Sequence, residues 1–292
     1  MTNIEQLLTH CPSVKLVRAH TLYNTTSDQL IVDINTVYCR ARVALQGAQP
    51  LQFHNGNEDI LWLSPHANFN GETAIRGGIP LCLPWFGINQ QDSTQAKHGF
   101  ARNQTWQLTR ATETDSEITL AFSFEHHAND IYPYSFSCDI VWRFNTRLYA
   151  SFSICNLSAQ AIPFSYALHS YFQTNNKYAT TVKGLDGCSY LDNTLQLKRD
   201  TQTGDIHFDQ EVDRVYENSP ANLQINTPSN TVSISAENMP TAIIWNPGTS
   251  ALKNHDIKTT YTNFICVEYG AAFNNEIKLG ANQSHKATML IT

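Results

Sequence analysis

The chain has 292 residues, 41% hydrophobic, 11% aromatic and 15% charged, the composition of a soluble globular protein able to bury a large core. Lys and Arg number 19 against 25 Asp and Glu, a formal charge of −6, which excludes a basic field for nucleic acid or an anionic membrane surface. Seven cysteines without a Cys-x-x-Cys pair exclude a regular disulfide framework and predict a reducing, cytoplasmic setting.

The first residues show no basic segment followed by an apolar one, and no apolar run is long enough to span a bilayer, so neither a secretion leader nor a membrane anchor is expected. A short helix is predicted over 4–8, then strands over 29–36, 39–45 and 59–64. From Ala74 to Gly87, Arg76, Gly77, Gly78, Pro80 and Pro84 punctuate an apolar run. Prolines donate no ladder hydrogen bond and paired glycines weaken a strand, so this segment predicts close approach of backbone to a ligand rather than a buried strand. The polar run 88–97 has nothing to bury and reads as a loop covering a pocket. His98-Gly99-Phe100-Ala101-Arg102 follows, again setting an imidazole and a guanidinium beside a glycine and an aromatic ring. Together the two segments predict one anion-binding, ring-stacking pocket. The alternative is that Arg76 and Arg102 serve structural ion pairs and that Trp85, Phe86 and Phe100 belong to the core.

Period-two alternation then dominates. A strand is predicted over 106–114, and Ile118, Leu120, Phe122 and Phe124 share one face of the next. His126-His127 reads as its solvated end. Phe136, Cys138, Ile140, Trp142 and Phe144 turn through Asn145-Thr146-Arg147 into Leu148, Ala150, Phe152 and Ile154, a long hairpin. A second hairpin pairs Leu223 and Ile225 with Val232 and Ile234 across Thr227-Pro228-Ser229-Asn230. Further strands are predicted over 241–245, 263–269 and 286–292, with a short helix near 250–255. The pattern is that of one all-β domain over residues 1–292, a large antiparallel β-sandwich with few short helices.

Two segments carry candidate acid and base groups. In Tyr166-Ala167-Leu168-His169-Ser170-Tyr171-Phe172 a strand puts Ala167, His169 and Tyr171 on one face. In Phe264-Ile265-Cys266-Val267-Glu268-Tyr269-Gly270, Cys266 and Glu268 share a face, and a carboxyl in so apolar a strand resists ionisation unless paired. The structural alternatives are a hydrogen-bonded core histidine and a buried salt bridge. No zinc-ligand spacing, nucleophile elbow, phosphate-binding loop or dinucleotide fingerprint occurs, which leaves acid–base chemistry.

The combination Ile75-Arg76-Gly77-Gly78-Ile79-Pro80, Pro84-Trp85-Phe86-Gly87, His98 to Arg102, Ala167 to Phe172, Asp213-Arg214-Val215-Tyr216, Trp245-Asn246-Pro247-Gly248 and Cys266-Val267-Glu268 resembles the hexose-6-phosphate mutarotases, or glucose-6-phosphate 1-epimerases, of the aldose 1-epimerase superfamily. The resemblance implies a galactose mutarotase-like supersandwich and interconversion of hexose 6-phosphate anomers without metal or cofactor. It implies His169 as general acid and Glu268 as general base, His98 and Asp213 as holders of sugar hydroxyls, and Arg76 and Arg102 as ligands of the 6-phosphate. Gln49, in Leu45-Gln46-Gly47-Ala48-Gln49, falls near a further sugar contact, and Lys253 is a counterpart of a family lysine. The chain departs from the family at Ile88 and at Ala96-Lys97, where prolines are common. The low charge and the lack of an exposed apolar run fit a monomer. The rival readings are a sugar-phosphate-binding or regulatory module without turnover, and a glycoside-cleaving enzyme, which needs paired carboxylates.

Overall fold

The structure, a computed structural model, describes residues 3–292. Alternation of apolar and polar residues builds its long hairpins. In the strands Ile118–His126, Phe136–Phe144 and Leu148–Asn156, the residues Leu120, Trp142 and Ala150 stand opposite one another on the buried face, as do Phe122, Ile140 and Phe152. Each large side chain so buried stabilises the fold by about 1.5–3 kcal/mol. The Trp142 indole also donates to Ala48 O at 2.9 Å, so its one polar atom is satisfied inside the core.

These strands belong to a nine-stranded sheet, ordered Ile206–His207, Thr181–Lys183, Asn222–Asn226, Thr231–Glu237, Ser284–Ile291, Leu148–Asn156, Phe136–Phe144, Ile118–His126 and Gln107–Glu113. The predicted hairpin is present, with Leu223 opposite Ile234 and Ile225 opposite Val232. An eight-stranded sheet packs on it: Lys198–Thr201, Ser189–Asp192, Val212–Tyr216, Thr241–Asn246, Phe264–Ala271, Tyr166–Leu168 and Leu81–Cys82 in order, with Tyr171–Gln173 also on Phe264–Ala271. The Phe152 and Tyr166 rings meet between the sheets at 4.7 Å. A four-stranded antiparallel meander, Val14–Arg18, Leu30–Asn35, Arg40–Ala44 and Gln49–His54, completes the framework. Among the described residues all pairings between named strands are antiparallel, and helix is limited to Asn3–Leu8 and short 3-10 turns, one of them at Gly248–Lys253. The all-β antiparallel sandwich expected from the alternation is therefore the fold. All seven cysteines are free, and no helix among the described residues is long and apolar enough to cross a membrane.

Three expectations require correction. Residues 59–64 form no strand, because their pairing is divided among three partners: Asp59 bridges His54, Leu61 bridges Phe172 and Leu63 bridges Gly77. His126 is buried, not solvated, its Nε2 within 3.0 Å of Tyr132 O. Gly77 and Gly78 approach protein backbone rather than a ligand, since a Cβ on Gly78 would stand 2.0 Å from Pro50 O and one on Gly77 2.6 Å from Trp62 O. The glycines let the punctuated segment lie against Pro50 and Trp62, while Leu81–Cys82, between the two prolines, does pair as a short buried strand with Leu168 and Ala167.

Gly99 is the tightest of these approaches. It has φ +65°, and a Cβ would stand 1.9 Å from the Leu83 carbonyl, which accepts from Phe100 N and Ala101 N. Gly87 has φ +76° with nothing within 4 Å of its Cβ position. Gly99→Ala is expected to lose at least about 2 kcal/mol and Gly87→Ala clearly less, because only the first adds a backbone clash to the left-handed strain. Urea unfolding of the two variants checks this, and equal losses would contradict it.

Candidate functional site

The Phe264–Ala271 strand is buried at all eight positions, because one face joins the main core while the other is covered by a second cluster that includes Trp62, Tyr171, Ala251 and Ile257. Ile265, Val267 and Tyr269 point into the core, and Cys266 and Glu268 take the opposite face. Leu168 pairs with Tyr269 and Tyr171 with Cys266, so the register carried between them sets His169 directly across from Glu268. Opposed side chains in an antiparallel pair lie on the same face within contact distance. His169 Nδ1 accordingly stands 3.3 Å from Glu268 Oε1. The same rule places Asp213, Trp245, Cys266 and Tyr171 in the neighbouring transverse row.

The partner strand breaks at His169 and Ser170, where backbone donors turn to the glycine-proline segment: His169 N bonds Pro80 O at 3.0 Å and Tyr171 N bonds Gly78 O at 2.9 Å. That segment therefore holds the imidazole's backbone. The ring is fixed by stacking on Tyr171, centroids 4.7 Å apart and planes 6° apart, and by the edge of Trp245 at 5.8 Å. Glu268 Oε2 and His169 Nδ1 have no hydrogen-bond partner. Burial raises the Glu268 carboxyl well above the usual carboxylate range, and Asp213 adds to the effect. Burial likewise depresses His169 well below an ordinary histidine, helped by His98, Arg102 and Arg76. Both shifts favour the uncharged forms, a carboxylic acid beside a neutral imidazole.

His98 stands edge-on to Phe86 at 4.7 Å and 5.8 Å from the His169 ring. Burial, then the charges of Arg102, Lys97 and Arg76, pull its pKa down to about 3. Gly87 N donates to its Nδ1 at 3.3 Å, which leaves the proton of the neutral ring on Nε2. Arg76 is fixed by Asp256, Nε to Oδ2 2.9 Å, and its Nη1 donates to Tyr171 Oη at 2.9 Å. Arg102 donates from Nη2 to Lys97 O at 2.7 Å and approaches Cys82 Sγ at 3.8 Å. Its Nε is buried without a partner. Asp213 accepts from Asn193 at 2.7 Å, and burial raises its carboxyl pKa. Gln49 is fully buried and donates to Ile75 O at 3.0 Å and Gly77 O at 2.7 Å, bracing the backbone on both sides of Arg76.

The structure thus gathers His98, Arg76, Arg102 and Asp213 within electrostatic reach of the His169–Glu268 pair, with Gln49 holding the backbone beside Arg76. Lys253 lies exposed on the Gly248–Lys253 turn. The expected ring-stacking pocket is divided: Phe86 faces His98, whereas Trp85 and Phe100 pack together and against Tyr132 on the core side. The 88–97 run has no helix or strand, and the residues at its inner end are clasped by Trp85 Nε1 to Ala96 O at 3.0 Å and by the Arg102 bond. Sequence reasoning missed Asp256 as the partner of Arg76, 180 positions away, and Trp245 as a wall of the His169 site. Trp245 stands in a short motif that named the segment without a role. Asp256 carries no local signal.

The sequence profile of the aldose 1-epimerase family matches residues 29–292. A protein of Cenchrus ciliaris, provisionally named a glucose-6-phosphate 1-epimerase, is 33% identical over 250 residues, 80% of this chain and 75% of its own. A provisionally named glucose-6-phosphate 1-epimerase of Salmonella typhimurium is 32% identical over 82% of both chains. Among solved structures, a provisionally named mutarotase from Salmonella typhimurium superposes with a TM-score of 0.82 at 25% identity, covering 99% of this chain and 98% of that one. A Synechocystis protein shares the fold with a TM-score of 0.78 at 19% identity, over 93% and 99% of the two chains.

The raised pKa of Glu268 has a consequence for stability. Between the ordinary carboxylate pKa and the raised native one, the folded chain holds a proton that the unfolded chain has lost, so stability falls as pH rises through that window, by up to about 1.4 kcal/mol per pH unit. Glu268→Gln removes this loss. The melting temperature of Glu268→Gln relative to the parent is expected to climb as pH rises from about 5 to about 8. A difference that stays constant would mean that Glu268 is ionised in the native protein.

Proposed function

The chain belongs to the aldose 1-epimerase family, and from that premise we propose that it interconverts the α and β anomers of glucose 6-phosphate and related hexose 6-phosphates. The observation that carries the reading is the His169–Glu268 pair, two buried groups 3.3 Å apart that both favour their uncharged forms. Anomer exchange asks for one base at the anomeric hydroxyl and one acid at the ring oxygen, and each positioned group contributes about a hundredfold or more.

Substrate charge sets the direction of the proton. Arg102 and Arg76 both depress the His169 imidazole, whereas Arg102 but not Arg76 acts on the Glu268 carboxyl. A phosphate dianion held by Arg102, with Arg76 nearby, offsets charge that depresses the imidazole, and the carboxyl proton passes from Glu268 to His169 as the substrate seats. Carboxylate and imidazolium are then in place. Glu268 takes the proton of the anomeric hydroxyl as its oxygen becomes the aldehyde carbonyl, the bond from that carbon to the ring oxygen breaks, and His169 protonates the ring oxygen. The aldehyde turns about its bond to the neighbouring carbon and closes from the other face with the roles reversed. Asp213 and the His98 Nε2–H supply an acceptor and a donor for sugar hydroxyls, and Trp245 and Phe86 supply apolar walls.

Arg102 is the stronger candidate for the phosphate. Among the described residues no carboxylate forms an ion pair with it, and its Nε–H is unused, whereas Arg76 is already paired with Asp256. Support for the phosphorylated substrate also comes from the relatives named as glucose-6-phosphate 1-epimerases.

Magnetisation-transfer NMR of anomer exchange tests the reading directly. Exchange of glucose 6-phosphate is expected to be accelerated far more than that of glucose. Arg102→Ala should raise KM for the phosphorylated sugar about 10- to 100-fold with a much smaller effect on glucose. Glu268→Gln should abolish turnover while the folded protein still binds the sugar phosphate. Equal losses on both sugars in Arg102→Ala would contradict a phosphate role, and parental turnover in Glu268→Gln would remove the base. A parent protein that accelerates neither sugar but binds the phosphorylated one would be a receptor instead.

A further inference from the structure

The register that opposes His169 to Glu268 also brings a third donor to the same point. Cys266 lies two residues before Glu268 on the same face and directly opposite Tyr171, the residue on which His169 stacks. One ligand atom from each of His169, Cys266 and Glu268 lies within 4.8 Å of the other two, and all three residues are buried. The cysteine and histidine spacings in the sequence carry no metal signature. The triangle exists only through the pairing of two strands.

We propose that His169, Cys266 and Glu268 form a binding site for a soft divalent cation such as Zn2+ or Cd2+, and that its occupation blocks the acid–base pair. Donor chemistry is the first argument. A sulfur, an imidazole nitrogen and a carboxylate oxygen make a set that Zn2+ takes in three-ligand sites with an open fourth position, whereas Mg2+ and Ca2+ demand oxygen shells.

Geometry is the second. Zinc–ligand bonds of about 2.0–2.3 Å set tetrahedral donors roughly 3.3–3.7 Å apart. His169 Nδ1 and Glu268 Oε1 already stand at 3.3 Å, and the widest separation in the triangle, at most 4.8 Å, closes with a side-chain adjustment on the order of 1 Å. The third argument is the pair's lack of hydrogen bonding. Nδ1 and Oε1 are at hydrogen-bond separation, yet Nδ1 makes no hydrogen bond, and Glu268 Oε2 also has no partner. The side chain of His169 is 8% exposed and that of Glu268 1%, so water does not satisfy these atoms from bulk. Two buried polar atoms without partners beside a thiol are what a cation would satisfy.

On binding, the Cys266 thiol and the Glu268 carboxyl each give a proton to solvent, and metal–sulfur and metal–oxygen bonds take their place, with no change of oxidation state. Thiolate and carboxylate together balance the charge of the cation. Arg76 and Arg102 oppose it, which weakens the site relative to a closed structural one and makes occupation reversible.

The full-length protein tests this without reference to turnover. Equilibrium dialysis should show one Zn2+ retained in the presence of excess Mg2+, and a Cd2+ titration should develop the ultraviolet thiolate-to-cadmium band with the same stoichiometry. Cys266→Ser should lose the band and weaken Zn2+ binding at least about tenfold, while Cys82→Ser, at the other buried thiol of the cleft, should keep both. Should Cys266→Ser fail to fold, Glu268→Gln serves as the second ligand deletion and should weaken Zn2+ binding by a similar factor. Failure of the parent to retain Zn2+, or unchanged binding in the folded ligand variants, overturns the proposal. Blocking of the acid–base pair rests on the anomer-exchange reading, and there Zn2+ should slow exchange and a chelator should restore it. A protein that binds Zn2+ but has no exchange activity leaves the metal site standing and removes the mutarotase reading. Exchange unaffected by saturating Zn2+ overturns the blocking.

Discussion

Everything in the cleft depends on one cross-strand opposition, His169 against Glu268, made on a strand covered on both faces. An antiparallel register is an all-or-nothing constraint, because a slip of one residue would turn Glu268 into the core and Val267 into the cleft. The hydrophobic back face therefore secures the acid–base geometry: Ile265, Val267 and Tyr269 can be buried in only one register. Burial also sets the protonation of the pair. With little bulk water around them, carboxyl and imidazole are pushed toward their uncharged forms, and charges placed nearby bias where a proton resides.

Those charges are held at different distances and by different means. Arg76 is locked by Asp256, by Tyr171 and by the backbone that Gln49 braces. Arg102 is tied through the carbonyl of Lys97, within the segment that follows the polar run. One guanidinium is thus part of the rigid floor and the other is coupled to the rim. In the proposed reaction this divides anchoring from chemistry: the phosphate end is gripped while the anomeric end turns. The same short distances that let the pair exchange a proton make it, with Cys266, a set of metal donors.

Much of this was legible along the chain. Period two in residues 118–124 and 136–154 gave the long antiparallel strands, because side-chain alternation on a pleated surface is a local property. The imidazole of His169 and the carboxyl of Glu268 stood out for the same reason, as polar groups on apolar strands. Residues 59–64 misled because their alternation serves single bridges to three partners, and Gly77 and Gly78 because a glycine signals close approach without saying to what. His126 read as solvated because nothing local reveals that Tyr132 folds back over it.

Fold class, then, was determined by the sequence itself, and so was the choice of His169, Glu268, Arg76 and Arg102 as candidates, since alternation, a polar group on an apolar strand and a cation beside glycines are local properties. Tertiary structure alone decided that Glu268 faces His169 rather than a structural cation. It also decided that Arg76 is partnered by Asp256 while no carboxylate among the described residues pairs with Arg102, and that Cys266 joins the pair. These are contacts between segments far apart along the chain, set by strand register and by the packing of loops on sheets. No local pattern of residues encodes a distance across such a gap.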